Sequence, residues 1–359
     1  MENMGIVNSN FWNGKKVFIS GNTGFKGSWL TLWLKSMGAE ITGFALKPED
    51  ELNMFNILKL ENHTNCIFGN ITNKNLFIKS IINSNCDIAF HLAAQPLVRK
   101  SYENPYETFS TNILGTVNFF EGLRLSSTFK VGINITSDKC YENNDEIQSF
   151  DENAQMGGKD PYSCSKGCSE LITSSYRESF FNPNQNNTKI ASVRAGNVIG
   201  GGDFSRDRLV PDIISNFIKK KKVFIRNPLA VRPWQHVLDP LRGYLLLAEK
   251  LYDSNDRTLC NGWNFGAEMK NSKNVKWITN YLDSILPNSA GWESDKNDNP
   301  YESQYLSLDC SKAEKILGWK TKLGIEETLE GIKDWHLALL EGQNMYNLSL
   351  EQINNYLNK

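Results

Sequence analysis

Along the first half of the chain, short apolar runs alternate with stretches whose apolar residues recur at helical spacing. Lys16–Ser20 predicts a strand, followed by an amphipathic helix over Gly27–Met37 that buries Trp29, Leu30, Trp33 and Leu34 and stops at Gly38. Glu40–Leu46 and Asn65–Phe68 predict the second and third strands, and Leu76–Ile82 a helix. A fully apolar strand follows at Ile88–Leu92, a helix at Thr111–Leu125 and a fifth strand at Lys130–Ile135. Asp160–Phe180 reads as a long helix and Ile190–Arg194 as a sixth strand. This βαβ rhythm predicts an α/β fold, a doubly wound parallel sheet covered by helices on both faces.

From about Gly200 the rhythm gives way to longer loops carrying Gly201, Gly202, Pro211, Pro228 and Pro233. The shift predicts a smaller C-terminal lobe built beyond the carboxyl edge of the sheet, where it would bind substrate. The division expected is 1–200 for the sheet domain and 201–359 for the second lobe, with some segments of the latter returning to the sheet. The absence of repeats and low-complexity linkers predicts compact lobes.

Composition narrows the class. Of 359 residues, 40% are hydrophobic and 22% charged, which is ordinary for a globular protein. The net charge of −1 favours neither a nucleic-acid partner nor an anionic membrane. The run Lys219–Lys222 reads as a solvated helix end. Seven scattered cysteines without a CxxC pair point to reduced thiols, and four histidines without ligand spacing to no metal centre. Met1–Asn13 is polar, and no apolar run reaches membrane-spanning length. The expectation is a cytoplasmic protein.

The chemistry enters with Gly21-Asn22-Thr23-Gly24-Phe25-Lys26-Gly27, a GxxGxxG pattern between the first strand and the first helix. Glycine is needed where the chain turns tightly, where backbone approaches a diphosphate, and where helix packs on strand. A dinucleotide would place its diphosphate at the helix N-terminus, against unpaired amides. That context implies a Rossmann dinucleotide site. The acidic residue usual at the end of the second strand is missing: the chain reads Gly43-Phe44-Ala45-Leu46, so this stretch does not separate NAD from NADP.

Ser137 follows the fifth strand, and Tyr162 and Lys166 lie four apart on one helix face. An ammonium beside the phenol would lower its pKa, letting a tyrosinate take a proton from a sugar hydroxyl held by Ser137 while hydride leaves for a nicotinamide.

From Phe11 to about Asp334 the chain resembles the extended short-chain dehydrogenases/reductases. Within them it is most similar to the CDP-glucose 4,6-dehydratases. The similar segments include GNTGFKGSWL (21–30), HLAAQPLVRKSY (91–102), ITSDKCYEN (135–143), VRAGNVIGGGDF (193–204) and RNPLAVRPWQHVLDPL (226–241). The resemblance implies NAD as cofactor, held by Gly21, Thr23, Gly24, Phe25, Lys26 and Gly27, by Asn70 and Ile71, by Leu92, Ala93, Ala94 and Gln95, and by Tyr162 and Lys166. Asn70 stands where aspartate commonly contacts adenine. It further implies that Asp138 protonates the departing O6 and that Lys139, usually glutamate in related dehydratases, removes the C5 proton. Such a lysine must be neutral, which burial or Lys166 nearby would favour. For an anionic nucleotide sugar, Arg232 and Arg208 are the candidate diphosphate grips, with Asn197 and Asn264 near the phosphates and Leu209, Val223 and Ile225 walling the base. The expected substrate is CDP-glucose; the choice of cytosine rests wholly on the resemblance. Thr111–Leu125 and Asp160–Phe180 resemble helices that pair in family dimers, which implies a homodimer or homotetramer. A sugar-nucleotide epimerase or reductase would share Ser137, Tyr162 and Lys166 but would have no use for the Asp138-Lys139 pair. A catalytically dead dinucleotide-binding protein would not need the intact Tyr162/Lys166 pair.

Overall fold

The computed structural model describes residues 5–144, 148–182, 186–267, 271–287, 289–295 and 305–359. Seven parallel strands form the central sheet: β1 (Lys16–Ser20), β2 (Glu40–Ala45), β3 (Asn65–Phe68), β4 (Ile88–His91), β5 (Val131–Ile135), β6 (Lys189–Arg194) and β7 (Gly262–Asn264). Their order is β7-β6-β5-β4-β1-β2-β3. The order reverses between β1 and β4, where Ser20 lies opposite His91. Chain leaves these two strands in opposite directions, opening a crevice at their carboxyl ends.

Nearly every residue of β4 and β5 is buried, because helices cover both faces. On one face, α1 (Phe25–Ser36), α6 (Leu238–Asp253) and α9 (Met345–Leu357) pack into the largest core with Val17, Ile19, Phe90 and Ile133. On the other, α2 (Lys74–Ser84), α3 (Gly115–Leu125) and α4 (Pro161–Ser179) enclose Phe18, Phe44, Phe77, Phe119, Phe120 and Ile190. A separate core joins α5 (Leu209–Ile218), α7 (Val275–Ile285) and α8 (Ile325–Leu340) with the short strand Val223–Ile225. The chain therefore crosses into the second lobe near Ile199, returns for α6 and β7, leaves again for α7, and ends on the first lobe in α9.

Two elements differ from the sequence expectation. The first helix is not amphipathic: Trp29 through Leu34 are all buried, since α9 covers the side that α1 would otherwise expose, with Trp33 and Tyr356 edge-on at 5.8 Å. The expected helix Thr111–Leu125 begins earlier, at Pro105, and carries a π turn over Ser110–Leu114. That extra residue turns Asn112 inward, where its amide donates to Ser165 Oγ (2.8 Å) and to the carbonyl of Gln95 (3.1 Å) and accepts from the Gln95 amide (2.8 Å). Among the described residues, no helix is long and apolar enough to cross a membrane.

Candidate active site

The crevice at the switch point deepens into a cavity of about 730 Å3 between the sheet and the second lobe. The glycine loop forms one end. Gly21 adopts φ +77°, and a Cβ there would meet the Ala93 amide nitrogen at 2.6 Å. A Cβ on Gly27 would meet the Gly21 carbonyl oxygen at 2.1 Å. Gly24 caps α1 without a side-chain acceptor, so the first-turn amides face the cavity unopposed. Thr23 Oγ1 ties the loop to the Leu46 carbonyl at 3.1 Å. A backbone cradle at a helix N-terminus, with no room for side chains, fits a dinucleotide diphosphate. Gly21, Thr23, Gly24, Phe25, Lys26, Gly27, Asn70, Ile71, Leu92, Ala93, Ala94 and Gln95 all line the cavity. Gln95 is fixed by the π turn and by its own amide, which donates to Thr108 Oγ1 (2.9 Å) and the Leu97 carbonyl (3.1 Å).

Ser137, Asp138, Lys139, Tyr162 and Lys166 come together on the opposite wall. Ser137 caps a short 3-10 turn by accepting from the Lys139 amide at 3.2 Å, and its hydroxyl donates to Asp138 Oδ1 at 2.9 Å. Asp160 caps α4 and Pro161 occupies its first turn, which sets the helix phase that turns Tyr162 and Lys166 inward. Lys166 Nζ lies 3.5 Å from the Ile135 carbonyl.

Burial dominates the electrostatics of this wall. Burial pushes the Tyr162 phenol up to about 12, and the Asp138 carboxylate adds to the rise. A hydrogen bond with Ser137 and the positive charge of Arg208 oppose it. Burial brings Lys166 itself down to about 8, against the opposing charge of Glu170. Lys26 falls to about 7, through burial and then repulsion from Arg208, while Asp138 pulls it upward. Burial thus draws two amines of the cavity, Lys26 and Lys166, down toward neutral pH.

Of the substrate-side residues, Asn197, Arg208 and Arg232 line the cavity, as do Leu209, Val223 and Ile225. Arg208 pairs with the buried carboxylate of Asp203 at 3.4 Å. Asn197 holds φ +51°, a left-handed conformation that asparagine tolerates. Asn264 is a correction. It is fully buried outside the cavity wall, donating to the Phe150 and Asp309 carbonyls (2.9 and 3.2 Å) and accepting from Tyr141 OH (2.8 Å). At the end of the edge strand β7, its side-chain amide is already engaged by these three partners.

Sequence reasoning passed over Asp203, Gly196, Glu170 and Arg194. A Cβ on Gly196 would lie 1.7 Å from Asp138 Oδ2, so this glycine leaves the space that the carboxylate fills. The one available signal was Arg194, a charge ending the mostly apolar run Ile190–Val193.

Residues 18–332 match the family model described as GDP-mannose 4,6 dehydratase. The chain belongs to that family. Within it, CDP-glucose 4,6-dehydratase of Salmonella typhimurium is 46% identical over 355 residues, covering 98% of this chain and 99% of the relative. CDP-paratose 2-epimerase of Salmonella typhi is 25% identical over 352 residues, covering 89% and 98%. A dTDP-glucose 4,6-dehydratase from Streptomyces venezuelae, DesIV, solved with NAD bound, superposes with a TM-score of 0.77 at 18% identity over 92% of this chain and 99% of that one. This last likeness speaks for the fold alone.

Proposed function

We propose that this member of the family converts CDP-glucose to CDP-4-dehydro-6-deoxyglucose and water through transient hydride transfer to bound NAD. The observation that carries the reading is the near-full-length 46% identity to a CDP-glucose 4,6-dehydratase. Support comes from the wall that joins Ser137, Asp138 and Lys139 to Tyr162 and Lys166. Bound NAD, held by the glycine loop, would supply a reversible hydride acceptor at this wall.

The chain's own residues manage the protons. Ser137 holds the 4-hydroxyl and Tyr162 takes its proton, aided by the positive charge of Arg208. The ketone so formed acidifies the C5 hydrogen, which Lys139 removes, while Asp138 protonates the departing O6. Lys139 then returns the proton to C5. The glycine loop, Asn70, Ile71 and Leu92–Gln95 hold the dinucleotide, and Arg232, Arg208 and Asn197 hold the sugar diphosphate.

The protein acts in the cytoplasm as a homodimer or homotetramer in this reading. The seven free thiols agree with the first point. For the second, the packed segment 105–114 and helix α4 leave Tyr106, Leu114 and Leu171 exposed.

The test is to incubate the purified protein with NAD and, separately, CDP-, GDP-, UDP- and dTDP-glucose, following mass. Loss of one water from CDP-glucose without accumulation of NADH is expected. Loss from another nucleotide sugar would keep the chemistry and overturn the base. No loss from any of the four would overturn the dehydratase reading.

A further inference from the structure

Behind the catalytic wall lies a buried ion pair that the reaction as described does not use. Glu170, one turn after Lys166 on α4, and Arg194, the last residue of β6, have side chains only 4% and 5% exposed and meet at 2.8 Å. Glu170 also accepts from Ser192 Oγ at 2.6 Å and, through a short hydrogen bond, from Thr136 Oγ1. Arg194 donates to Tyr141 OH at 2.5 Å, and its guanidinium packs over the Tyr141 ring at 5.0 Å. Tyr141 is stacked on Phe150 at 5.2 Å and donates onward to Asn264. Thr136 and Tyr141 are the residues at either end of the segment that carries Ser137, Asp138 and Lys139.

We propose that the Glu170–Arg194 pair is a positioning device that holds the Ser137–Lys139 segment at both ends and thereby sets the geometry of proton transfer. Removing two charges from water costs several kcal/mol per ion in general, and apolar replacements often pack as well. Stability is therefore a poor reason for the pair, whereas fixing a loop in one geometry is a good one. The fold also makes room for it: a Cβ on Gly262 of β7 would lie 2.3 Å from Arg194 Nη2. The same carboxylate faces Lys166 along the helix and holds its proton against burial. The pair thus acts on the segment by contact and on Lys166 by charge.

Two kinds of variant separate these actions. Thr136→Val and Tyr141→Phe each remove one anchor and leave the ion pair intact. Each is expected to lower kcat about tenfold or more with KM changed by less than about twofold. Amide hydrogen exchange across residues 137–141 should speed up in both, a readout that needs neither substrate nor cofactor. Glu170→Gln should lose kcat similarly and also move the Lys166 titration to lower pH. Competitive acetylation of Lys166, followed by peptide mass across a pH series, reads that titration directly. The activity arm rests on the dehydratase reading, whereas hydrogen exchange and acetylation do not; inactive wild-type protein would sink that reading and leave these two arms decisive. If Glu170→Gln does not fold, the two anchor variants carry the test. Wild-type exchange rates at 137–141 in both anchor variants would overturn the positioning role. An unmoved Lys166 titration in folded Glu170→Gln would overturn the charge role.

Discussion

Tyr162 and Lys166 illustrate how burial competes with proximity at a single residue. Four-residue spacing puts ammonium and phenol on one helix face, but both are sealed in the wall, and loss of hydration moves each away from its charged form. The tyrosine is thus a reluctant base, which the hydrogen bond with Ser137 and the charge of Arg208 assist. Tyr162→Phe keeps the ring and its packing, so NAD affinity and melting temperature should stay near wild type while turnover falls about 100-fold or more. Near-normal turnover would remove Tyr162 from the reaction. Gly196 is a subtler case. Adding one methyl there forces the Asp138 carboxylate to move, because the two would otherwise be 1.7 Å apart. Gly196→Ala is expected to cut kcat about 100-fold through displacement of about 1 Å. Exchange of the C5 hydrogen with solvent, measured by mass, should survive better than water loss, since Asp138 is the proposed acid toward O6. Equal loss of both would place the effect elsewhere.

Among the elements, the turn from β1 into α1 does most to make the cofactor end. Strand, glycine loop and helix were legible in the sequence because each follows a local rule: an apolar run, a need for conformational freedom, a helical spacing. Helix α1 shows the limit of such rules, for its all-round burial depends on α9, more than three hundred residues later. The π turn at Ser110–Leu114 was invisible for a related reason, since its pay-off is the bonds from Asn112 to Gln95 and Ser165. Gly27→Ala tests the turn itself. The methyl would sit 2.1 Å from the Gly21 carbonyl oxygen, prising helix from loop at a cost of about 1–3 kcal/mol. Calorimetric titration should show NAD affinity falling more than stability alone explains, whereas unchanged affinity would mean that the loop does not hold the diphosphate.

For the molecule as a whole, stability responds to pH through carboxyl groups buried where α6 meets its neighbours. Burial raises Glu249 to about 7, although Trp12 Nε1 (2.6 Å) and the Asn8 amide (3.1 Å) both donate to it. Asp239 is raised to about 6 by burial, against hydrogen bonds from Tyr356 OH and the Lys322 amide. A carboxyl whose folded pKa exceeds its unfolded value favours the folded state at low pH, and that contribution is lost as pH rises through the folded value. For Glu249 the window runs from about 4.5 to about 7. Glu249→Gln keeps an acceptor and removes the charge, so its melting temperature should exceed wild type by about 2–4 °C at pH 8. The two should converge at pH 5. A difference independent of pH would show that Glu249 does not titrate across this window.

The sequence by itself determined the alternation of strand and helix, the glycine loop, and the two short stretches bearing Ser137-Asp138-Lys139 and the pair Tyr162 and Lys166. Each is encoded within a few residues, where hydropathy period, backbone freedom and side-chain spacing act locally. Only the tertiary structure decided what lies between distant segments. It paired Glu170 with Arg194 behind the catalytic segment, brought Arg208 and Tyr162 to one cavity, tied Asn264 to Tyr141, Phe150 and Asp309, and left Gly196 no room for a side chain. Burial and charge at a point in space sum over every element that meets there, and no local stretch of chain carries that sum.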